Sequence, residues 1–470
     1  MDPRRFGSVL ASDEYRELLD LIDRGAQTLR GRVIWNVNST SRGGGVAELL
    51  RPLLGYSRGA GVDARWVVVS GGTDFFAVTK RLHNRLHGFD GDGGALSAGE
   101  RDVYERTLAG NAAELARLVR SEDVVILHDP QTAGLVEAVR RRGASVIWRC
   151  HVGLDRPNRL AREAWAFLSP FVRTADAYVF SRPTFAWEGL DPDRISVIRP
   201  SIDVFSPKNA DQTEEQRAAI LSRSGIVPRR TSGHPTYVRA DGTPGRVDRR
   251  AELVETAPLT PATRVVAQIS RWDRLKDPIG VMHGFAHHTA EQCDAHLVLG
   301  GPATEAVADD PEGSEVRAAV IHAWRDLPDP LRRRIHLAAL PMDDIEENAA
   351  IVNALQHHAD VVVQKSLAEG FGLTVAEAMW KQRPVVASRL GGIQDQIIDG
   401  ESGVLLSDPG DLRAFGLAVA GLLAEPERAQ RIGVAARARI SHHFLGSRHL
   451  SDYFELIHRL SASSRIPGHA

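Results

Sequence analysis

The stretch Ala359–Trp380, ADVVVQKSLAEGFGLTVAEAMW, decides how this chain is read. It opens on the apolar β-branched run Val361 to Val363, the pattern of a strand covered on both faces of a parallel sheet. A loop follows, Ser366 to Gly372, with glycines at 370 and 372. From Leu373 the spacing predicts a helix, with Val375, Ala376, Met379 and Trp380 on one face. A strand, a glycine-bearing loop and a helix N-terminus make an anion site, because unpaired N–H groups and the helix dipole converge there. Glu369 and Glu377 bracket that site. Carboxylates repel an anion, so they fit the hydroxyls of groups attached to it: a diphosphate with a sugar on each side.

A chain of 470 residues exceeds one ordinary core and predicts two α/β domains. A hydrophobic fraction of 43% with 25% charged residues is that of a globular protein, and a formal net charge of −2 gives no basic field for nucleic acid. Cys150 and Cys293 lie far apart, follow apparent core strands and lack ligand spacing. They read as reduced core thiols, not as a disulfide or a zinc site. The N-terminal residues lack the apolar core of a signal peptide, and no run approaches membrane-spanning length. The expectation is a cytoplasmic protein with no membrane or nucleic-acid partner.

Residues 1–206 read as a first domain. The strand GRVIWNVNST, the glycine-rich loop Asn38 to Gly45, a helix and the strand DARWVVVSG begin a doubly wound parallel sheet. The loop is not G-x-G-x-x-G and no acidic residue ends the next strand, which counts against a dinucleotide-dependent oxidoreductase. Polar residues at the C-terminal ends of parallel strands face the ligand crevice of such sheets. His128, Asp129, Gln131, Arg149 and His151 have that address, joined by Asn38, Gly44 and Gly45 from the earlier loop. Residues 207–261 are rich in Arg, Gly, Pro and Thr and read as a linker with an insertion, a surface hairpin or flap whose basic charges are solvated.

Residues 262–446 read as a second domain. TRVVAQISRWDRLKDP predicts a strand and a loop with Arg271 and Lys276, two cations able to neutralise a diphosphate leaving group. They fill the role a metal would have. No Asp-x-Asp stands at a suitable strand end, and Asp343–Asp344 reads as a helix cap, so no metal is expected. HLVLGGP places a Gly300–Gly301 turn at the same edge. The segment 447–470 is expected to be a helix crossing back onto the first domain.

The sequence E-G-F-G-L-T-V-A-E resembles the signature of the family-4 retaining glycosyltransferases of GT-B fold, and S-R-W-D-R-L-K-D-P, L-G-G-P and G-G-I fall in that family's order. V-N-S-T-S-R-G-G-G-V-A-E, H-D-P-Q and W-R-C-H-V-G-L-D in the first domain are similar to the trehalose synthases. The resemblance implies two Rossmann-like domains facing across a cleft, a nucleoside-diphosphate-glucose as co-substrate, glucose as acceptor and an α,α-1,1 product. It also implies no tightly bound cofactor, and a homodimer. By this resemblance Arg271, Lys276, Glu369 and His151 are catalytic. Gly300, Gly301, Gly370, Phe371, Gly372, Leu373, Thr374 and Glu377 bind the donor, and Asn38, Gly44, Gly45, His128, Asp129 and Gln131 bind the acceptor. Retaining trehalose phosphorylases share these motifs, and a sugar-nucleotide sensor without catalysis is a further reading. A retaining glycosidase needs carboxylates about 5 Å apart on opposite faces of a sugar. Glu369 and Glu377 share one side of a phosphate site and do not fit.

Overall fold

The computed structural model describes residues 1–41, 44–228, 233–303 and 311–463. The chain forms two compact units, one of Met1–Ser201 with the segment from Phe444 onward, the other of Ile202–His443.

In the first unit, strands β1 (Val33–Asn38), β2 (Asp63–Val68), β3 (Val124–His128), β4 (Ser145–Cys150), β5 (Ala177–Phe180) and β6 (Ile195–Val197) form one parallel sheet in the order β2-β1-β3-β4-β5-β6. The central strands are fully buried because helices cover both faces, so β3 reads VVILH without alternation. Trp148 anchors the core, with its ring 4.8 Å from that of Trp187 and edge-on to Phe180. The strand order reverses between β1 and β3, and their following loops part there. In an open α/β sheet that is where a ligand crevice forms. The helix Gly446–Ser463 packs on the helix Ser12–Thr28, where Gly25 leaves room for the Phe454 ring. Residues 464–470 of the expected C-terminal helix, and Arg42 and Gly43 of the glycine-rich loop, lie outside the described residues.

In the second unit, β7 (Thr236–Val238) and β8 (Pro244–Arg246) pair as a hairpin. A larger sheet holds β9 (Glu252–Val254), β10 (Val265–Ile269), β11 (His296–Pro302), β12 (Ile335–Leu340), β13 (Val361–Gln364), β14 (Val385–Ser388) and β15 (Val404–Leu406). Its order is β15-β14-β13-β10-β11-β12-β9, parallel except for the antiparallel edge strand β9. Here the order reverses between β10 and β13. Both sheets are thus doubly wound, the α/β class that the sequence predicts.

Two expectations need correction. Gly300 and Gly301 do not turn: β11 continues through Pro302, paired with β12 as Gly300 with Ala338 and Gly301 with Ala339. Cys293 precedes β11 and is half-buried, so only Cys150 is a core thiol, although both are free. The basic charges of the 207–261 segment are partly solvated, as expected, but they are also paired with acids. Arg239 donates to Asp344 at 2.6 Å and to Glu346 at 3.1 Å, and Arg249 pairs with Glu347, which also accepts from the backbone N–H of Asp248 at 2.7 Å. Glu347 is 2% exposed, and a carboxylate so buried needs these donors.

Candidate active site

In the second unit the loops after β10 and β13 meet at the strand reversal. Asp273 shapes the first loop by accepting from the N–H of Leu275 at 2.8 Å, and it pairs with Arg271 at 2.9 Å. The next turn ends at Asp277, whose φ of 50° is left-handed and whose carboxylate caps the helix Pro278–Gly284 by accepting from Gly280 N–H at 3.0 Å. A lysine that is fully buried, Lys365 at the end of β13, pairs with the Asp277 carboxylate and donates to the Pro409 carbonyl at 2.6 Å. That pair fixes the turn and directs Lys276 to Glu369, with which it forms an ion pair. Ser366 Oγ donates to the same carboxylate at 3.3 Å, and the Gln364 amide donates to Ser366 Oγ at 2.9 Å while accepting from Thr374 Oγ1 at 3.1 Å. Lys276, Glu369 and Thr374 are therefore brought together. Arg271 is the half-exposed member beside them.

Gly372 opens the helix Leu373–Trp380 with a φ of 85°, a conformation that a side chain disfavours. The preceding loop is seated on Gly391 and Gly392. A Cβ at Gly391, itself at φ 46°, would overlap the Glu369 carbonyl oxygen, and the Gly392 N–H donates to the Gly370 carbonyl at 2.9 Å. Gln396 completes the support by donating to the Phe371 carbonyl at 2.6 Å. Gly301 leaves room for the Trp272 ring, whose indole N–H donates to Pro302 O at 2.9 Å, whereas a Cβ on Gly300 would meet only ordinary contacts from 3.6 Å. Glu377 is 2% exposed, one turn into the helix, 3.3 Å from Lys208 Nζ and close to the buried Lys381. Burial pulls the Lys381 ammonium below its usual range, against the opposing pull of Glu377.

In the first unit the strand ends of β3 and β4 carry the polar groups. Asp129 has φ 64° and ψ −177°, a region that belongs to glycine and costs a side-chain residue on the order of 1–3 kcal/mol. Its backbone N–H donates to the Arg149 carbonyl at 2.7 Å, and its carboxylate accepts from His151 N–H at 2.7 Å. These bonds hold the strained residue. Burial raises the Asp129 carboxyl to about 7. His128 lies 3.0 Å from His151 between ring nitrogens, and burial with the nearby Arg149 charge lowers His128 to about 3 and His151 well below its usual range. Arg149 is fully buried and donates to the Ile198 carbonyl at 2.7 Å. It is a structural cation behind the site.

Asn38 accepts from the Trp66 indole at 2.7 Å and donates to Thr40 O at 2.7 Å, which shapes the exit of β1. Gly44, at φ 77°, starts the helix that continues from Gly45. Gln131 is half-buried on the turn Pro130–Leu135. Several participants have no local signature in the sequence: Asn36, Lys208, Lys365, Lys381, Gln396 and His449 reach their places only through tertiary contacts. His449, on the C-terminal helix, bonds Ser201 at 3.1 Å. The G-G-I motif is the one visible signal for Gly391 and Gly392. Among the described residues, no group of three or more His, Cys, Asp or Glu side chains could hold a metal ion, and no helix is long and apolar enough to cross a membrane.

Residues 36–187 match the family model described as the trehalose synthase N-terminal domain, and 346–439 match group 1 glycosyl transferases. The trehalose synthase of Rubrobacter xylanophilus is 34% identical over 458 residues, 97% of this chain and 96% of that protein. The chain belongs to the trehalose synthase family. The trehalose synthase of Pyrococcus horikoshii agrees, with 32% identity over 97% of this chain and 95% of that protein. A trehalose phosphorylase of Pleurotus pulmonarius is 24% identical over 80% of this chain but half of its own length. Among solved structures, an α,α-trehalose-phosphate synthase (UDP-forming) from Burkholderia xenovorans has a TM-score of 0.67 at 14% identity, over 91% of this chain and all of that one. That likeness is one of fold, the GT-B fold. This trehalose synthase family member is a hexosyltransferase acting in trehalose chemistry.

Proposed function

We propose that the protein transfers glucose from a nucleoside-diphosphate-glucose to the anomeric hydroxyl of free glucose, with retention, to give α,α-1,1-trehalose. The observation that carries this reading is the Lys276–Glu369 ion pair, set at the strand reversal of the second sheet beside the helix that starts at Leu373. Departure of the diphosphate builds negative charge on its β-phosphate and positive charge on the sugar ring. In this reading Lys276, Arg271 and the N–H groups from Gly370 to Thr374 receive the phosphate, each such donor contributing roughly 3 kcal/mol. Glu369 accepts from a donor-glucose hydroxyl and holds Lys276 in place. Glu377 binds the ribose diol, with Lys208 balancing its charge.

On the first unit, His151 meets the donor sugar, and Asp129, His128, Gln131 and Asn38 orient acceptor hydroxyls beside the helix start at Gly44 and Gly45. The similarity to trehalose synthases over nearly their full length supports the synthase reading over the phosphorylase one, since the phosphorylase match spans only half of that relative. The test is to incubate the protein with trehalose and either a nucleoside diphosphate or inorganic phosphate. Nucleoside-diphosphate-glucose as product supports the proposal. Glucose 1-phosphate would replace it with the phosphorylase, and calorimetric binding of the donor without turnover would leave a sensor.

A further inference from the structure

Asn36 lies mid-strand in β1, 3% exposed, on the far side of His128 from His151. Its side-chain oxygen Oδ1 is 3.1 Å from His128 Nε2, and His128 Nδ1 is 3.0 Å from His151 Nε2. An amide oxygen has no proton to give, so the first contact requires a proton on His128 Nε2. A neutral imidazole carries one N–H, which leaves His128 Nδ1 as a lone pair. That lone pair can bond His151 only if His151 Nε2 carries its proton. His151 Nδ1 is then an acceptor as well. The groups facing this pair are Asp129 on the β3 turn, Arg149 on β4 and His449 on the C-terminal helix, and burial, with the adjacent Arg149 cation adding to it, keeps both rings neutral.

We infer that Asn36 is a positioning residue: through His128 it fixes the tautomer of His151, so that His151 presents an acceptor and takes a hydroxyl donor, not a phosphate or carboxylate oxygen. The naming of that hydroxyl as a sugar hydroxyl rests on the function proposed above; the tautomer does not. A polar site that demands a donor at one point discriminates against a ligand lacking it, because its own lone pair is then left unbonded.

The experiment reads tautomers directly from two-bond proton–nitrogen spectra of 15N-histidine-labelled full-length protein near neutral pH. Both His128 and His151 should appear as neutral Nε2–H tautomers, assigned by single His→Gln variants. Asn36→Asp keeps the side-chain shape but adds a charge, so His128 should become an imidazolium whose Nδ1–H donates to His151 and switches it to the Nδ1–H tautomer. In transfer assays Asn36→Asp should lose roughly tenfold in kcat/KM, the worth of one hydrogen bond, with a pH profile displaced from that of the parent. A wild-type His151 found as Nδ1–H, or one unmoved by Asn36→Asp, overturns the relay whether or not the protein transfers glucose. If Asn36→Asp does not fold, the wild-type spectrum decides alone. Absence of transfer with the expected tautomers would refute the function and leave the relay standing.

Discussion

The Lys276 ammonium is paired with the Glu369 carboxylate across 93 residues of sequence, and the partner is chosen by Asp277, which a fully buried Lys365 engages instead. The two loops after β10 and β13 are tied further where Leu367 N–H donates to the Leu275 carbonyl at 2.7 Å. Charge and backbone therefore set the same geometry.

Replacing Lys276 by Ala should lower turnover by about 10²–10³-fold, the range for loss of one preorganised donor to a developing anion. Thermal unfolding should shift far less, because the pair is not in the hydrophobic core. Initial rates and a melting curve on one preparation check both. Near-full activity would remove this cation from the mechanism.

Asp129 offers a separation of strain from function. Asp129→Gly should remove on the order of 1 kcal/mol of backbone strain, offsetting the lost carboxylate bond to His151 N–H, and leave stability close to wild type. Asp129→Ala keeps the strain and loses the bond, so it should be the less stable variant. Both should lose activity toward glucose. Urea midpoints that rank the two in the opposite order would contradict the backbone argument.

A methyl group at Gly391 would overlap the Glu369 carbonyl oxygen at a left-handed φ. Gly391→Ala should push the Glu369–Gly372 loop away and weaken binding of a nucleoside diphosphate at least tenfold, whereas Gly300→Ala should be tolerated. Calorimetric titration of both variants with the diphosphate alone separates them.

The histidines predict the direction of acid sensitivity. His128, His357 and His449 are lowered to about 3 by burial and nearby cations, and His296 to about 4. Below the unfolded histidine value of about 6.5, the unfolded chain takes up protons that the folded chain refuses, so stability falls as pH drops from about 6.5 toward 4. Asp129 acts oppositely: its raised value means the fold holds a proton that the unfolded chain has lost, a contribution that fades as pH rises from about 4 through 7. The lowered histidines, His151 among them, outnumber the raised carboxyls Asp129 and Asp452. Urea midpoints should decline between pH 7 and 5, and His449→Gln should flatten the slope.

The elements that position the site were largely legible. Continuous Val and Ile runs gave β3 and β13, because a parallel strand covered on both faces has no polar alternation to disguise it. The Asp344 cap is local chemistry, its carboxylate accepting from Glu346 N–H at 3.0 Å. The Gly300–Gly301 misreading has a plain cause. Paired glycines suggest a turn, but their pairing with Ala338 and Ala339 on another strand is a long-range fact.

By itself the sequence determined which residues lie at the C-terminal ends of buried strands, since periodicity and glycine placement act within a few residues. It thereby selected His128, Asp129 and His151 in one sheet and Lys276, Glu369 and Glu377 in the other. Tertiary structure decided their partners: that Lys276 meets Glu369 while Asp277 meets Lys365, that Asn36 stands behind His128, and that Lys208 approaches Glu377 from 169 residues away in the chain. Such pairings depend on which loops the strand order brings together. A charge does not record in its own neighbourhood of the sequence which opposite charge the fold will bring to it.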